Sequence, residues 1–345
     1  MNLKVLWTIS NSMSTFADLK MIKEIKDFNI DIVITDLVDK DCAGLEISGK
    51  KYIIPKGNNP DYISTVLSIC KKENINVVIP QFGHELVSLS ENLYLFEKEG
   101  IKVLVTENTK KLEIANNKYK LYDFFKGSSF IPKYQYVDKF NDMEDAIFSL
   151  GYPKKLVCIK PLDGEGGKGF RILTDKKFDV FIDNLEGTQI SWEILKRQID
   201  VSLGIPKILV MEYLPGKEYS VDCVCKNGHT YICIPRERIE TDCGIATVTK
   251  IENNLEIIEM SKKIISQLDL SYNINLQFKY SESGQPKLIE INPRVSGSLI
   301  ANYGAGVNMI EASLKLAYGI PLGMLNVNWG AKMIRYWDQL FIHGR

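Results

Sequence analysis

Short apolar runs alternate with segments of helical spacing over roughly the first 105 residues, which predicts strands separated by helices. The predicted strands are residues 5–9, 31–35, 52–54, 77–79 and 102–105, and the predicted helices are residues 16–28, 61–73 and 86–99. This order is typical of βαβ units and a parallel sheet. Because ligands gather at the carboxyl ends of such strands, the loops at 10–14, 36–39 and 80–85 are candidate binding loops.

The pattern changes after about residue 106, where strands follow one another with few helices between them. Predicted strands lie at 132–137, 156–160, 208–213, 219–225, 230–235, 273–280 and 288–292, and predicted helices at 117–125 and 255–268. Asn-Gly at 227–228 and Ser-Gly at 283–284 predict tight turns. This half is therefore expected to be α+β and built largely on antiparallel hairpins.

Composition narrows the class of protein. The 345 residues carry 43 basic and 43 acidic side chains, and this balance argues against a general nucleic-acid or membrane-surface binder. No apolar run is long enough to span a membrane and no secretory signal is evident, so we expect a cytoplasmic protein. The seven cysteines are then expected to be reduced, and a zinc site is not predicted.

A glycine cluster follows the predicted strand at 156–160. Gly164, Gly166 and Gly169 match the dinucleotide pattern G-x-G-x-x-G, but the next residues predict a strand rather than the helix which that motif requires. The cluster is therefore expected to cap a β-hairpin, whose backbone N–H groups and Lys168 could cover the phosphates of a nucleotide. Lys160, at the end of the preceding strand, would find a partner in a phosphate oxygen. An ordinary hairpin turn and a lysine that extends to solvent are the alternatives.

A second set of candidates ends the last predicted strand. Glu290 and Asn292 project to one face, two residues apart, and Gln277 lies on a neighbouring predicted strand. Their oxygens suit Mg²⁺, which is usually bound by few protein ligands together with substrate phosphates. Arg294 follows, where its guanidinium could hold phosphate oxygens. A polar strand end at the surface is the alternative.

Three further segments are candidates for ligand contacts. Residues 211–218 run from a strand into a Pro-Gly turn and could offer backbone groups to an adenine and Glu218 to a ribose. Arg236 and Arg238, expected in a loop at 235–246, suit an anionic ligand or are solvated surface charges. Glu85 either holds an amine or caps the following helix.

Taken in order along the chain, these residues resemble the ATP-grasp superfamily, and most closely its carbamoyl-phosphate-synthase-like and carboxylate–amine ligase members. The resemblance implies an ATP-grasp fold, part α/β and part α+β, with an N-terminal Rossmann-like pre-ATP-grasp domain. The implied division is residues 1–108 for this domain, 109–205 for the small ATP-grasp subdomains with the glycine loop, and 206–345 for the large subdomain with the metal site.

The resemblance also implies roles for individual residues. Arg236, Arg294 and Lys160 would be catalytic: the two arginines would steady the transferred phosphate and the acyl phosphate, and Lys160 would contact the α- and β-phosphates and help to offset their charge. Mg²⁺, or Mn²⁺ in its place, would be bound by Gln277, Glu290 and Asn292. The implied contacts to ATP are made by Lys118, Lys160, Gly164, Gly166, Gly167, Lys168, Glu212, Tyr213, Leu214 and Glu218.

The activity implied is that of an ATP- and Mg²⁺-dependent ligase. It would activate a small-molecule carboxylate as an acyl phosphate and join it to an amine or ammonia. An ATP-grasp kinase or carboxylase, and an ATP-binding regulatory subunit without turnover, are the alternatives. No nucleic-acid or membrane partner is expected, and a homodimer is left open.

Overall fold

The computed structural model describes residues 1–162, 169–175, 189–200, 204–242 and 244–341. The first of three sheets is parallel, with strand order β3-β2-β1-β4-β5. Its strands are β1 (Asn2–Trp7), β2 (Asn29–Asp36), β3 (Lys51–Ile53), β4 (Val77–Ile79) and β5 (Lys102–Val103). The accompanying helices are α1 (Thr15–Lys23), α2 (Gly44–Ser48), α3 (Tyr62–Glu73), α4 (Gly83–Glu91) and α5 (Leu93–Glu97). The predicted parallel α/β unit is confirmed.

Two predicted helices of this unit differ from those observed. The helix expected at 16–28 ends at Lys23, because Ile25 and Phe28 enter the core from irregular backbone and only imitate helical spacing. The helix expected at 86–99 is divided into α4 and α5 at Asn92. There the Asn92 side chain donates a hydrogen bond to the Ser88 carbonyl at 2.9 Å, a local bond that competes with regular helix.

The second sheet has the strand order β6-β10-β7-β8-β9. Its strands are β6 (Tyr134–Val137), β7 (Val157–Pro161), β8 (Arg171–Leu173), β9 (Gln189–Ile190) and β10 (Ile208–Glu212), and the helices of this part are α6 (Thr109–Ala115), α7 (Lys118–Phe124), α8 (Phe140–Ser149) and α9 (Trp192–Asp200). β7 and β8 pair antiparallel, so the strands that flank the glycine cluster form the predicted hairpin.

The third sheet is antiparallel, with strand order β15-β14-β11-β12-β13-β16. Its strands are β11 (Glu218–Lys226), β12 (His229–Asp242), β13 (Ile245–Ile251), β14 (Tyr272–Tyr280), β15 (Pro286–Asn292) and β16 (Lys332–Ile334), and the accompanying helices are α10 (Leu255–Gln267), α11 (Ile300–Gly304) and α12 (Met309–Ala317). Asn227 and Gly228 both have positive φ, 48° and 74°, as a tight turn between β11 and β12 requires.

The loop expected at 235–246 is wrong for most of its length, because β12 continues to Asp242. Charged residues outnumber apolar ones there, and β13 supplies the backbone hydrogen bonds that hold the segment extended. Arg236 and Arg238 therefore project from a strand and are fixed by its register.

Two hydrophobic cores each contain residues from more than one sheet. One core joins α1 and the first sheet to α11, α12 and the segment before α11; another joins α7 and β10 to the third sheet. Among the described residues, no helix has both the length and the apolar character needed to cross a lipid bilayer.

Candidate active site

One face of the third sheet carries a row of polar side chains. Ser220 on β11 lies opposite Arg236 on β12 and Gln277 on β14, and Gln277 lies opposite Glu290 on β15. Residues directly opposite in an antiparallel sheet project from the same face. A parallel row two residues further along contains Asp222, Asn275 and Asn292. The strand register therefore gathers residues that lie up to 70 positions apart in the chain.

Glu290 is held between two lysines from the neighbouring part of the fold. Its Oε2 lies 3.3 Å from Lys160 Nζ and 3.5 Å from Lys118 Nζ, while Asn292 Nδ2 donates to Oε1 at 3.1 Å. The three charged side chains are only 17–21% exposed. Burial by itself would raise the pKa of Glu290, but the two ammonium groups and the hydrogen bonds hold it well below its usual range. The lysines predicted to contact phosphates and the residues predicted to bind the metal therefore lie together around the Glu290 carboxylate.

Local structure places both lysines. Lys160 is near the end of β7, and Lys118 begins α7, whose N-cap residue Asn117 accepts a hydrogen bond from the Lys120 backbone at 3.0 Å. The Tyr122 hydroxyl fixes α7 to β15 by donating to the Ile289 carbonyl at 2.8 Å. An Asn N-cap and one buried tyrosine therefore bring the first turn of α7 beside Glu290.

Asn292 connects Glu290 to Arg294. Its Oδ1 accepts a hydrogen bond from Arg294 Nη2 at 3.3 Å, and Arg294 Nη1 donates to the Val295 carbonyl at 2.7 Å. Gln277 lies directly across from Glu290, beside a register irregularity of the β14–β15 pair. Within the described parts of the chain, no group of three or more His, Cys, Asp or Glu side chains is arranged to hold a metal ion. One carboxylate flanked by two amides is nevertheless a donor set that fits Mg²⁺ when phosphates complete its coordination.

Arg236 forms a buried ion pair with Asp222. Its Nε lies 2.9 Å from Asp222 Oδ2, and both side chains are 2% exposed. The Asp222 carboxylate also accepts hydrogen bonds from Asn275 Nδ2 and Asn302 Nδ2, each at 2.8 Å. Arg236 Nη2 donates to the Ser296 hydroxyl at 3.2 Å, whereas Nη1 has no partner among the described residues.

The candidates for adenine contact are Glu212, which ends β10, and Tyr213 and Leu214, which follow it toward β11; these three residues are called the hinge. Glu212 Oε1 accepts a hydrogen bond from the Lys133 backbone N–H at 2.8 Å, so its carboxylate helps to join β10 to the chain before β6. Tyr213 donates its backbone N–H to the Leu156 carbonyl at 3.3 Å, and Leu214 is buried. A role in adenine binding would therefore rest on the backbone of this segment, and it stays a prediction.

Glu218 is placed between two cations on the same face. It lies 3.2 Å from Arg238 Nη1 and 3.6 Å from Lys279 Nζ, and the Lys279 ammonium lies 5.8 Å from the centre of the Tyr213 ring. Burial lowers the pKa of Arg238, which Glu218 partly offsets. Lys279 was not among the predicted site residues. Its role depends on its position opposite Glu218, which only the pairing of β11 with β14 reveals.

The glycine-loop candidates Gly164, Gly166, Gly167 and Lys168 lie outside the described residues. Gly169, at the base of the loop, has a φ of 77°, and a Cβ there would lie 2.6 Å from Pro161 Cγ. Both constraints exclude a side chain at this position.

Glu85 caps a helix, which resolves the two alternatives left open for it. Its carboxylate accepts hydrogen bonds from the Thr8 and Tyr62 hydroxyls at 2.5 Å and from the backbone N–H groups of Gln81 and Phe82 at 2.7 and 2.9 Å. Burial raises its pKa, and the four donors oppose that effect. The carboxylate, on α4, is thus fully engaged in joining the residue after β1, the first residue of α3 and the backbone that enters α4.

Sequence reasoning missed Asp18 and Arg335. Asp18 is on α1 and only 1% exposed, and burial raises its pKa to about 7 although Ser14 and Arg335 oppose the shift. Arg335 Nη2 donates to the Gly297 carbonyl at 2.9 Å and is placed near the Ser298 hydroxyl. A signal for Asp18 existed, because it lies one helical turn before Ile22 on the apolar side of the helix.

Two family models match the chain. Residues 204–333 match the family described as ATP-grasp in the biosynthetic pathway with Ter operon, and residues 15–104 match the PylC-like N-terminal domain.

Among curated proteins, the carbamoyl phosphate synthase large chain of Clostridium acetobutylicum is 25% identical over 295 residues, which cover 79% of this chain and 26% of the relative. The formate-dependent phosphoribosylglycinamide formyltransferase of Prochlorococcus marinus is 21% identical over 314 residues, which cover 88% of this chain and 74% of the relative. The chain thus spans about a quarter of the length of the synthase that it matches.

Solved structures share the fold over nearly the whole chain. The ADP complex of an N5-carboxyaminoimidazole ribonucleotide synthetase has a TM-score of 0.68 at 16% identity, covering 94% of this chain and 79% of that one. The biotin carboxylase domain of Hydrogenobacter thermophilus 2-oxoglutarate carboxylase, solved with MgADP, ADP and bicarbonate, has a TM-score of 0.67 at 18% identity, covering 95% and 73%. The chain thus shares its fold with these solved structures, residues 204–333 match an ATP-grasp family model, and residues 15–104 match a PylC-like N-terminal domain.

Proposed function

We propose that the protein is an ATP- and Mg²⁺-dependent ligase that activates a small-molecule carboxylate as an acyl phosphate and joins it to an amine or ammonia. The observation that carries this proposal is the Glu290 cluster: one largely buried carboxylate between Lys118 and Lys160, on a strand that continues into Asn292 and Arg294. Burying these charges costs desolvation free energy that their mutual attraction only partly offsets, and such charge clusters are typical of sites that bind a charged ligand.

The residues of the cluster fit the charges of a nucleotide triphosphate with its metal. Bound MgATP would supply the phosphoryl group, with Mg²⁺ offsetting the charge of its phosphates. Lys118 and Lys160 would bind phosphate oxygens, and the carboxylate of Glu290 that they now neutralise would become a metal ligand. Asn292 and Gln277 would add amide oxygens beside it.

The two arginines would act on the substrate side of the same face. Arg294 is joined to Asn292 and therefore lies beside the proposed metal position. Arg236 is three strands away from Glu290, about 14 Å at the usual spacing of neighbouring strands. A carboxylate between them would meet guanidinium groups suited to its oxygens and to those of an acyl phosphate.

Nucleotide contacts elsewhere are proposals of the same kind. The backbone at Glu212, Tyr213 and Leu214 would hold the adenine, and Glu218 the ribose. The division of the chain at residues 108 and 205 is likewise proposed. The ADP and MgADP named for the related structures support the choice of nucleotide and metal.

The test is Mg²⁺-dependent release of ADP, measured by a coupled assay across a panel of carboxylates and amines. We expect Glu290→Gln to reduce the rate by 100-fold or more, because the carboxylate would be lost from the metal site. Glu282→Gln, an exposed acid in the turn between β14 and β15, is the matched control and should keep the wild-type rate. Unchanged ADP release in Glu290→Gln would refute the metal assignment.

A further inference from the structure

A second polar cluster lies where α1 meets the third sheet and the segment before α11. It contains Asp18, Arg236, Asn302 and Arg335, of which the first three are at most 2% exposed and the last is half-buried. Within the described ranges, Asp18 Oδ1, Arg236 Nη1, Asn302 Oδ1 and Arg335 Nε are buried atoms without a hydrogen-bond partner. Buried polar atoms are normally paired, so four of them in one region need an explanation.

Shared partners bring these four side chains together. Asp222 Oδ2 accepts hydrogen bonds from both Arg236 Nε at 2.9 Å and Asn302 Nδ2 at 2.8 Å. The two arginines are held by consecutive positions of one segment: Ser296 for Arg236, and Gly297 and Ser298 for Arg335. Asp18 is close enough to Arg335 and Asp222 for both charges to affect its pKa.

The unpartnered atoms fall into two chemical kinds. Arg236 Nη1 and Arg335 Nε are donors on permanent cations, so they require acceptor oxygens and favour a carboxylate. Asp18 Oδ1 and Asn302 Oδ1 are acceptors, so they require N–H donors, and the acid favours an ammonium group. No single simple ion satisfies both kinds.

We propose that this cluster, at the edge of the ligase site, binds a substrate with an ammonium and a carboxylate on neighbouring atoms, that is, an α-amino acid. Arg236 and Arg335 receive the carboxylate, and Asp18 with Asn302 receives the ammonium. This assignment rests on the proposed ligase function; it shares Arg236 with that proposal and adds Asp18, Asn302 and Arg335, none of which belongs to the Glu290 cluster. Arg236 belongs to the sheet that carries Glu290, whereas Asp18 belongs to α1. In the proposed orientation the carboxylate end is directed toward the phosphate cluster.

The binding test does not require turnover. Isothermal titration would measure the twenty L-amino acids against wild-type protein with Mg²⁺ and a non-hydrolysable ATP analogue. For each amino acid that binds, its deaminated and decarboxylated counterparts would be measured beside it; for alanine these are propionate and ethylamine. We expect at least one amino acid to bind at least 10-fold more tightly than its deaminated and decarboxylated counterparts.

Variants connect that preference to the cluster. Asp18→Asn should reduce the preference for the amino acid over its deaminated counterpart by 10-fold or more, and Arg335→Gln should weaken binding of every carboxylate. Asp31→Asn, an 82% exposed aspartate of the same unit, is the control and should behave as wild type. Circular dichroism would verify that each variant is folded.

The outcomes separate the two proposals. Amino-acid binding that is lost in the cluster variants supports the inference, even if no ADP is released with any substrate, a result that would count against the ligase function alone. The inference would be overturned if none of the twenty amino acids bound more tightly than its own deaminated and decarboxylated counterparts, or if the preference survived Asp18→Asn and Arg335→Gln, while the Glu290 experiment would still stand.

Discussion

At the scale of single residues, two carboxylates have pKa values shifted in opposite directions, although burial acts to raise both. Lysines beside Glu290 hold its pKa low, whereas Asp18 has too little compensation and its pKa is raised to about 7. The difference comes from neighbours supplied by distant parts of the chain. Glu290 was predictable because Asn292 and Arg294 follow it in the sequence, whereas the only sequence signal for Asp18 was its place on the apolar side of α1, which does not reveal the groups that face it.

The raised pKa of Asp18 makes stability depend on pH. In the unfolded chain Asp18 ionises near 3.8, whereas in the folded protein it keeps its proton to about pH 7. Folding stability is therefore lost as the pH rises from about 4 to about 7, by up to about 4 kcal/mol at 1.36 kcal/mol per pKa unit. Asp18→Asn removes this dependence, so the variant should gain stability relative to wild type across that window.

Urea unfolding followed by circular dichroism at several pH values measures the gain. Arg335 and Asp222, the charges that face Asp18, are present in both proteins and so do not alter the comparison. A stability difference between Asp18→Asn and wild type that stays constant from pH 4 to pH 8 would show that Asp18 does not titrate in this range.

At the scale of elements, the segment between β10 and β11 is attached to the end of β14. Gly216 donates its N–H to the Tyr280 carbonyl at 2.9 Å, and Tyr280 donates back to the Lys217 carbonyl at 2.9 Å. A Cβ on Gly216 would lie 2.6 Å from Tyr280 Cβ. Glycine is therefore required here because two elements approach closely. The Pro-Gly pair in the sequence predicted a turn but not this close approach.

Gly216→Ala tests whether this attachment positions the proposed adenine segment. Because the added methyl group must displace β14 or the hinge, we expect a loss of about 1–3 kcal/mol in stability. Binding of a fluorescent ATP analogue should weaken as Tyr213 and Leu214 shift. Gly304→Ala in α11 is the control, since a Cβ there meets nothing within 4 Å. Equal nucleotide affinity in Gly216→Ala and wild type would show that this attachment does not position the residues that bind the nucleotide.

At the scale of the whole molecule, the N-terminal unit is part of a core that the C-terminal half completes. Leu19 and Ile22 of α1 belong to the same buried cluster as Leu299, Met309 and Leu314. The predicted boundary at residue 108 separates two patterns in the sequence, but the packed core extends across it. Periodicity reveals which face of an element is apolar and cannot reveal which other element covers it.

Removing residues 1–108 should therefore expose an apolar surface on the remaining chain. We expect the 109–345 fragment to aggregate and to bind the dye ANS, since Leu299, Met309 and Leu314 would lose their cover. Size-exclusion chromatography and dye fluorescence measure both effects. A monodisperse fragment with wild-type helix content and no dye binding would contradict the shared core.

The sequence by itself determined the parallel first unit, the hairpin around the glycine cluster, the turn at Asn227-Gly228 and the ordered set of residues that resembles the ATP-grasp superfamily. These features depend on local periodicity, turn chemistry and short motifs, which are written in neighbouring residues. The tertiary structure alone decided the extension of β12 to Asp242, the engagement of Glu85 as a helix cap, and the pairing of Glu290 with two lysines. It also decided the cluster of Asp18 with the arginines. Each of these depends on strand register and on packing between distant segments, and no local pattern specifies which distant residue becomes a neighbour.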